Sequence, residues 1–398
     1  MKILVIAPTP FFADRGCHVR IYEEVNALQK LDCEVTICTY HNGRDIPGFD
    51  IRRIINIPWY RKLEAGPSLH MLYLDLLLLI KSLTVALRIK PDIIHGHLHE
   101  GAFIGYLIAK IIRKPLFYDT QGSLAGEMKA HGFLKGNRIF YKLVSFLERR
   151  INRMADVVLA NSSNMVRLLE DEFRLPRERI LLLPDGVDIE QFKPDIDTGE
   201  LKAELGLPPV KKTVVYLGLL NEYQGVDCLL ETIPLVLKEV KDVHFLVMGY
   251  PDVEKYSKKA EGLGISDSVT FTGRIDYSRA ASYISLGDVA VSPKLSSTES
   301  NGKIFLYMAC GLPTVVFDTP VNREILGDTG VYAPEVGDAA SLASALIEVL
   351  TDEALARKLG VQGRKRVVDN FTWDSTAPRL VERYRSYLPD SKQGERCN

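Results

Sequence analysis

DGVDIEQFKPDIDTGELKAELGLPPVKK (185–212) divides this 398-residue sequence. Its Pro, Gly and Asp residues interrupt any regular pattern, and it reads as a linker that ends in a short helix. The same texture lies on either side of it. Before it, KILVIA (2–7), CEVTICTY (33–40), DIIHGH (92–97), PLFYDT (115–120), VVLANS (157–162) and ILLLP (180–184) read as strands. Helical patterns at 17–31, 71–89, 101–112, 135–153 and 163–173 separate them. After it, TVVYLG (213–218), HFLVMG (244–249), VTFTG (269–273), VAVSP (289–293), TVVFD (314–318) and GVYAP (330–334) restart the alternation, again with helical patterns between. Strands that are apolar on both faces and alternate with helices specify a parallel sheet covered on both sides. The spacing therefore predicts an α/β chain of two doubly wound parallel-sheet units, residues 1–195 and 196–370, facing each other across a cleft. In such sheets ligands bind beyond the carboxyl ends of the strands. The segment 371–388 reads as one more helix.

Composition narrows the class. Hydrophobic residues make up 46% and charged residues 25%, which excludes a disordered, collagen-like or disulfide-scaffold chain. A net charge of −1 argues against nucleic acid held by a whole-protein basic field. The balance is uneven: residues 1–195 carry 27 basic against 23 acidic residues, and the remainder 23 against 28. The first half is the better candidate for an anionic surface. Six scattered cysteines with no CxxC read as reduced thiols of a cytoplasmic protein. MKILVIAP is too short in its apolar run for a signal peptide and reads as a strand. The apolar stretch 71–89 contains Asp75, Lys81 and Arg88; it is expected to be a buried core helix, with a membrane-touching helix as the alternative. Residues 129–153 place Lys129, Lys135, Arg138, Lys142, Arg149 and Arg150 among Leu, Phe, Tyr and Ile. Such a segment either sits on anionic lipid, as a peripheral contact on the inner face of a membrane, or is a solvated basic face.

Residues just after strands carry the chemistry. Gly16 stands where the loop after the first strand becomes a helix, a place where backbone N–H groups can approach a phosphate. PDIIHGHLHEG sets His95, His97 and His99 at alternate positions. They could be metal ligands, but no Cys or carboxylate set accompanies them. The favoured reading sends one histidine from the strand end into the cleft while another is packed or caps. His97, nearest the strand end, is the candidate for a sugar or leaving-group contact. Asp119 and Gln121 follow another strand and form a polar cluster on the same side of the sheet, an N-capped turn being the alternative. ESNGKIFLYMACGLPTVV (299–316) places Glu299, Ser300, Asn301, Gly302 and Lys303 before a helix. The Walker spacing is absent, yet polar residues and a Lys at a helix start can still hold a diphosphate. Asp195 and Asp197 imitate a DxD metal motif but lie in the linker. Cys310 reads as a packed thiol.

Taken together, these motifs resemble the GT-B-fold glycosyltransferases of the group 1, or family 4, type. The resemblance rests on the Gly16 loop, PDIIHGH, LLLPDGVDIEQFKP, VVYLG…YQGVDCLL, VTFTGRI, MACGLPTVV and the terminal FTW helix. It implies two Rossmann-like domains, with an acceptor on the first and a nucleotide sugar, UDP- or GDP-linked, mainly on the second. It implies transfer to a hydroxyl of a lipid or glycan with retention at the anomeric carbon, and no metal or other cofactor. The final helix is expected to cross back onto the first domain, which would then comprise 1–195 and 371–398. Gly218 would lie beside the donor, the backbone around Arg274 and Ile275 would meet the nucleobase, and Glu299 would be the carboxylate near the donor sugar. The resemblance makes Asp119 and Gln121 acceptor-side candidates. The match is uneven. The family's donor-site Arg and Lys fall on Leu219 and Gln224, and its Glu-x7-Glu pair falls on Thr298 and Leu306, with Glu299 one position off. Lys303, with Arg274 as a second candidate, could replace part of the missing charge. The departures at Leu219, Gln224 and Leu306 also fit a non-catalytic subunit that partners an active transferase, and a sugar epimerase is a third reading.

Overall fold

The computed structural model describes residues 1–63, 70–125, 138–208, 212–296 and 299–389. Lys129, Lys135 and Thr298 lie outside the described residues. The first sheet contains β1 (Lys2–Ala7), β2 (Glu34–Thr39), β3 (Asp50–Arg53), β4 (Ile93–His97), β5 (Leu116–Asp119), β6 (Val157–Ala160) and β7 (Ile180–Leu182). Its order is β3-β2-β1-β4-β5-β6-β7. The second contains β8 (Lys212–Leu217), β9 (Val243–Met248), β10 (Val269–Gly273), β11 (Val289–Ser292), β12 (Thr314–Phe317) and β13 (Gly330–Ala333), in the order β10-β9-β8-β11-β12-β13. Neighbouring strands pair in parallel throughout both sheets. In each sheet the order reverses once, between β1 and β4 and between β8 and β11. Parallel sheets open a crevice at such a reversal.

The alternation in the sequence has a direct packing cause. Ile3 to Ala7 are fully buried because helices cover both faces of β1. Ile3 and Val5 face one core with Ile21, Val25 and Leu28 of α1 (Gly16–Lys30). Leu4 and Ile6 face the other with Leu74 and Leu78 of α2 (Met71–Ile89) and Ile104 and Ile108 of α3 (Leu98–Ile112). Each such side chain contributes about 1.5–3 kcal/mol on burial. The helix α4 (Arg138–Asn152) packs beside α3 in the same outer layer. The second sheet is enclosed in the same manner.

Two expectations change. The stretch 185–212 is no loose linker: Val187, Phe192, Leu201 and Leu207 are buried in the core shared by the two units. Nor is α2 enclosed. One side of it is buried, but Leu72, Leu76, Ile80 and Leu87 are exposed, because α2 lies in the outermost layer and only one of its apolar sides meets the sheet. None of the described helices is long and apolar enough to cross a membrane.

The last helix, Trp373–Arg385, returns to the first unit and packs on α1. Trp373 and Ala377 bury Ala27, and the Tyr384 hydroxyl lies 2.5 Å from His95 Nδ1. Thr372 caps the helix, accepting from the Ser375 N–H at 3.2 Å. One residue earlier, the Phe371 carbonyl accepts from Val187 N–H at 3.0 Å.

Candidate functional site

The β4–β5 register sets His97 directly beside Asp119 at the carboxyl ends of their strands. His97 Nδ1 lies 3.0 Å from Asp119 Oδ2, and Gln121 Nε2 lies 3.1 Å from the same oxygen. His95, two positions back, shares the face of His97, and the two rings stack at 4.4 Å. Strand alternation dictates this pairing. The strand ends at His97, so His99 does not continue that face: it lies in the first turn of α3, 3.5 Å from Glu148 of α4.

Helix α1 brings two charges onto the histidine face. Arg20 donates from Nε and Nη2 to the two oxygens of Asp119, at 2.8 and 3.0 Å. Its Nη1 donates to Asp185 Oδ1 at 2.6 Å. Burial alone would raise the Asp119 carboxyl, but Arg20 and His97 outweigh it and hold the group well below the usual carboxylate range. Burial likewise opposes the charge on Arg20, and Asp119 and Asp185 more than restore it. Glu24, one turn after Arg20, is fully buried and pushed up to about 7 by burial. Burial and His97 hold His95 well below its ordinary value. Side-chain ligand atoms of Glu24, His95 and His97 come within 4.8 Å of one another. However, His95 Nδ1 is engaged by Tyr384 and His97 Nδ1 by Asp119, and the Arg20 guanidinium adjoins the group, a poor setting for a dication. Among the described residues His97 Nε2 has no hydrogen-bond partner.

The second sheet supplies the opposite wall. Beyond β8 stands Gly218, where an added Cβ would lie 2.6 Å from Lys303 Nζ. Only glycine admits the ammonium there. Lys303 Nζ donates to Gln224 Oε1 at 2.8 Å and lies 4.5 Å from the centre of the Tyr216 ring. Burial and the neighbouring Lys294 drive its pKa well below the ordinary lysine value. Beyond β11, the buried Lys294 donates to Glu299 Oε2 at 2.8 Å and to the Ser300 carbonyl at 2.9 Å. Asn301 is buried between Ser292 and Asn322. The Ser300 hydroxyl donates to Asp185 Oδ2. Asp185 thus ties the loop 299–302 to Arg20, and through Arg20 to Asp119.

The remaining candidates fall into different settings. Gly16 begins α1 and is exposed, with open space where a Cβ would point. Arg274 is engaged across the cleft, its Nη2 2.6 Å from Asp14 Oδ2, a carboxylate that also receives Arg44 at 2.5 Å. Ile275 packs against the core. Leu306 turns inward and is 8% exposed, so an apolar cluster receives the position where the family pattern has a carboxylate. Asp197 caps the turn at Gly199, and burial pushes the Cys310 thiol up to about 12, as a packed thiol requires. Three residues escaped the sequence reading: Arg20, Asp185 and Lys294. The signal for the first was present, since Arg20 and Glu24 are charges four apart on the buried stripe of a helix. Asp185 was hidden by its place in a polar stretch, and Lys294 by lying one residue beyond the strand reading VAVSP.

Comparison with known proteins agrees with the two-unit architecture. The profile described as Glycosyltransferase Family 4 matches residues 15–191, and that described as Glycosyl transferases group 1 matches residues 211–352. Alpha-monoglucosyldiacylglycerol synthase of Streptococcus pneumoniae is 29% identical over 279 residues, covering 68% of this chain and 61% of the relative. The matched region therefore spans about three fifths of that relative's length. Among solved structures, sucrose-phosphate synthase from Thermosynechococcus elongatus superposes with a TM-score of 0.81 at 21% identity, covering 97% of this chain and 98% of that one. HepE of Anabaena, in complex with UDP and glucose, gives 0.79 at 18%, covering 98% and 100%. Both structures share the two-sheet architecture over nearly their whole length. With the two profiles together spanning most of the sequence, one on each unit, the chain belongs to the group 1, family 4 glycosyltransferases of GT-B fold.

Proposed function

We propose that this protein is a glycosyltransferase that moves a sugar from a UDP- or GDP-linked donor to a hydroxyl of a lipid or glycan acceptor. We place the donor on the second unit (196–370) and the acceptor on the first (1–195 with 371–398). The observation that carries the reading is the convergence at the two sheet reversals. A lysine ammonium packed against Gly218 lies at one, a His97–Asp119 pair lies at the other, and Asp185 links Ser300, in the loop before Lys303, to Arg20, which holds Asp119.

The chemistry follows from charge. A departing diphosphate needs cations, and each charge-assisted hydrogen bond is worth about 1.5–3 kcal/mol. Leu219 and Gln224 supply none. Lys303 and Lys294 take that role, and Gln224 positions Lys303. With its pKa depressed by burial and a like charge, Lys303 gains most from an anionic ligand. His97, oriented through Nδ1 by Asp119, offers Nε2 to the sugar or its leaving group, and Glu299, held by Lys294, is the carboxylate beside the donor sugar. The arrangement works by alignment and electrostatic stabilisation. Retention of anomeric configuration and independence of metal belong to the proposal and are checked by product NMR and by assay in chelator. An inner-face position against anionic lipid, reached through the basic segment 129–153, completes it.

The first test is thermal shift with UDP, GDP, ADP and their sugar derivatives. Ligand at 100 times its dissociation constant adds about 2.7 kcal/mol to stability. A rise with one base supports the donor site and names the nucleotide. No rise with any at millimolar concentration overturns it in favour of a non-catalytic subunit.

A further inference from the structure

We propose that the outer layer formed by α2, α3 and α4 docks on an anionic bilayer surface, with the outward apolar stripe of α2 as the element that enters the headgroup region. The observation is an inverted helix. At about 100° per residue, Leu72, Leu76, Ile80 and Leu87 fall within an arc of about 80°. The buried residues Leu74, Leu78, Ser82 and Val85 occupy the opposite side. A surface helix ordinarily turns charge toward water. Here the outward stripe is 77%, 57%, 55% and 58% exposed at its four apolar positions. The neighbouring helices extend it: Phe103 and Ile111 of α3, and Leu143, Phe146 and Leu147 of α4, are also exposed. All three helices cover one face of the first sheet, so their outer sides look the same way. An exposed apolar area of this extent marks an interaction surface.

Charge selects the occupant. Lys81, Arg88, Lys110, Lys142 and Arg150 lie on the same three helices, and none forms an ion pair among the described residues. The carboxylates of this layer are withdrawn. Asp75 accepts from the Tyr40 hydroxyl at 2.6 Å, Glu148 is buried against the backbone of residues 124 and 125, and Glu100 is half-buried. A second copy of the chain set against this face would oppose cation to cation, whereas anionic lipid satisfies both the apolar stripe and its basic flanks. Since no described helix can span a bilayer, the layer lies on the surface. This inference deepens the reading of an anionic surface as partner and rests on that reading, not on sugar transfer.

The test is co-sedimentation of the full chain with vesicles of phosphatidylcholine alone and of phosphatidylcholine mixed with phosphatidylglycerol. The unaltered chain is expected to bind only the mixed vesicles. The exposed pair Leu76→Glu with Ile80→Glu should lower the partition coefficient by about tenfold or more, with the melting temperature and the nucleotide thermal shift unchanged. Loss of binding with Lys142→Glu and Arg150→Glu but not with the α2 pair overturns the role of α2 and leaves the basic helix as the lipid contact. No binding of the unaltered chain overturns both readings. A dimer in solution that the α2 pair dissociates overturns the proposal in favour of a second copy.

Discussion

Asp119 receives Arg20 through both oxygens and His97 through one. Removing a partner from a buried ion pair leaves a charge without compensation, which typically costs 3–5 kcal/mol. Asp185 and the Leu183 carbonyl still accept from Arg20, so Asp119→Asn is expected at the lower end, about 3 kcal/mol, read as a lowered midpoint in urea unfolding. The same change should reduce kcat more than the KM for the nucleotide sugar, because the donor wall does not touch Asp119. At the opposite wall the argument concerns where a cation is attached. Lys303 Nζ reaches the side chain of position 224, so the charge can be supplied from either position. Gln224→Lys alone sets two ammonium groups together and should lower the stability of the free protein without weakening nucleotide binding, because an anionic ligand neutralises both. Lys303→Gln alone should weaken it by tenfold or more, as loss of about 1.5 kcal/mol implies. The two together should restore most of the affinity, measured by titration calorimetry. Failure of the double variant to recover would assign Lys303 a purely structural role.

At the scale of the element, the closing helix is held by few large contacts. Trp373 is 4% exposed against Ala27 and Ala377, and Gly186 leaves no room for a Cβ beside its ring. Trp373→Ala is expected to cost about 3–5 kcal/mol and to make the segment after 371 accessible to protease, checked by limited proteolysis and mass spectrometry. Legibility in the sequence followed the physics of each element. Strands buried on both faces could be read because their residues are mainly apolar; β3 (DIRR) could not, since it is an edge strand with polar, partly exposed side chains. His97, Asp119 and Lys303 stand at strand ends or a helix start, where local pattern locates them. Arg20 and Asp185 matter only through contacts 99 and 165 residues distant in sequence, which no local pattern records. The outward side of α2 was missed for a related reason: its periodicity shows two apolar sides, and only the tertiary layer decides which one is covered.

At the scale of the molecule, the two units meet through side chains that respond to pH. The Tyr277 hydroxyl of the second unit donates to Glu23 Oε1 of α1 at 2.9 Å. Burial pushes the Glu23 carboxyl up to about 7, against an ordinary value of 4.5. Between those two values the folded chain retains a proton that the unfolded chain has released. Glu23 therefore contributes stability at low pH, and that contribution is lost as pH rises toward 7. Glu23→Gln is expected to flatten the fall of melting temperature over this window, measured by scanning calorimetry at a series of pH values. An unchanged slope would place the titration elsewhere.

Asp185 stands between two claimants. One oxygen accepts from Arg20, the other from Ser300, so a ligand that draws Ser300 away withdraws part of what steadies Arg20, and with it Asp119 and His97. Linkage makes such a tie symmetrical: whatever factor the donor imposes on acceptor affinity, the acceptor imposes on donor affinity. On the proposed reading the cleft then behaves as one balance with two pans, joined through a single shared carboxylate.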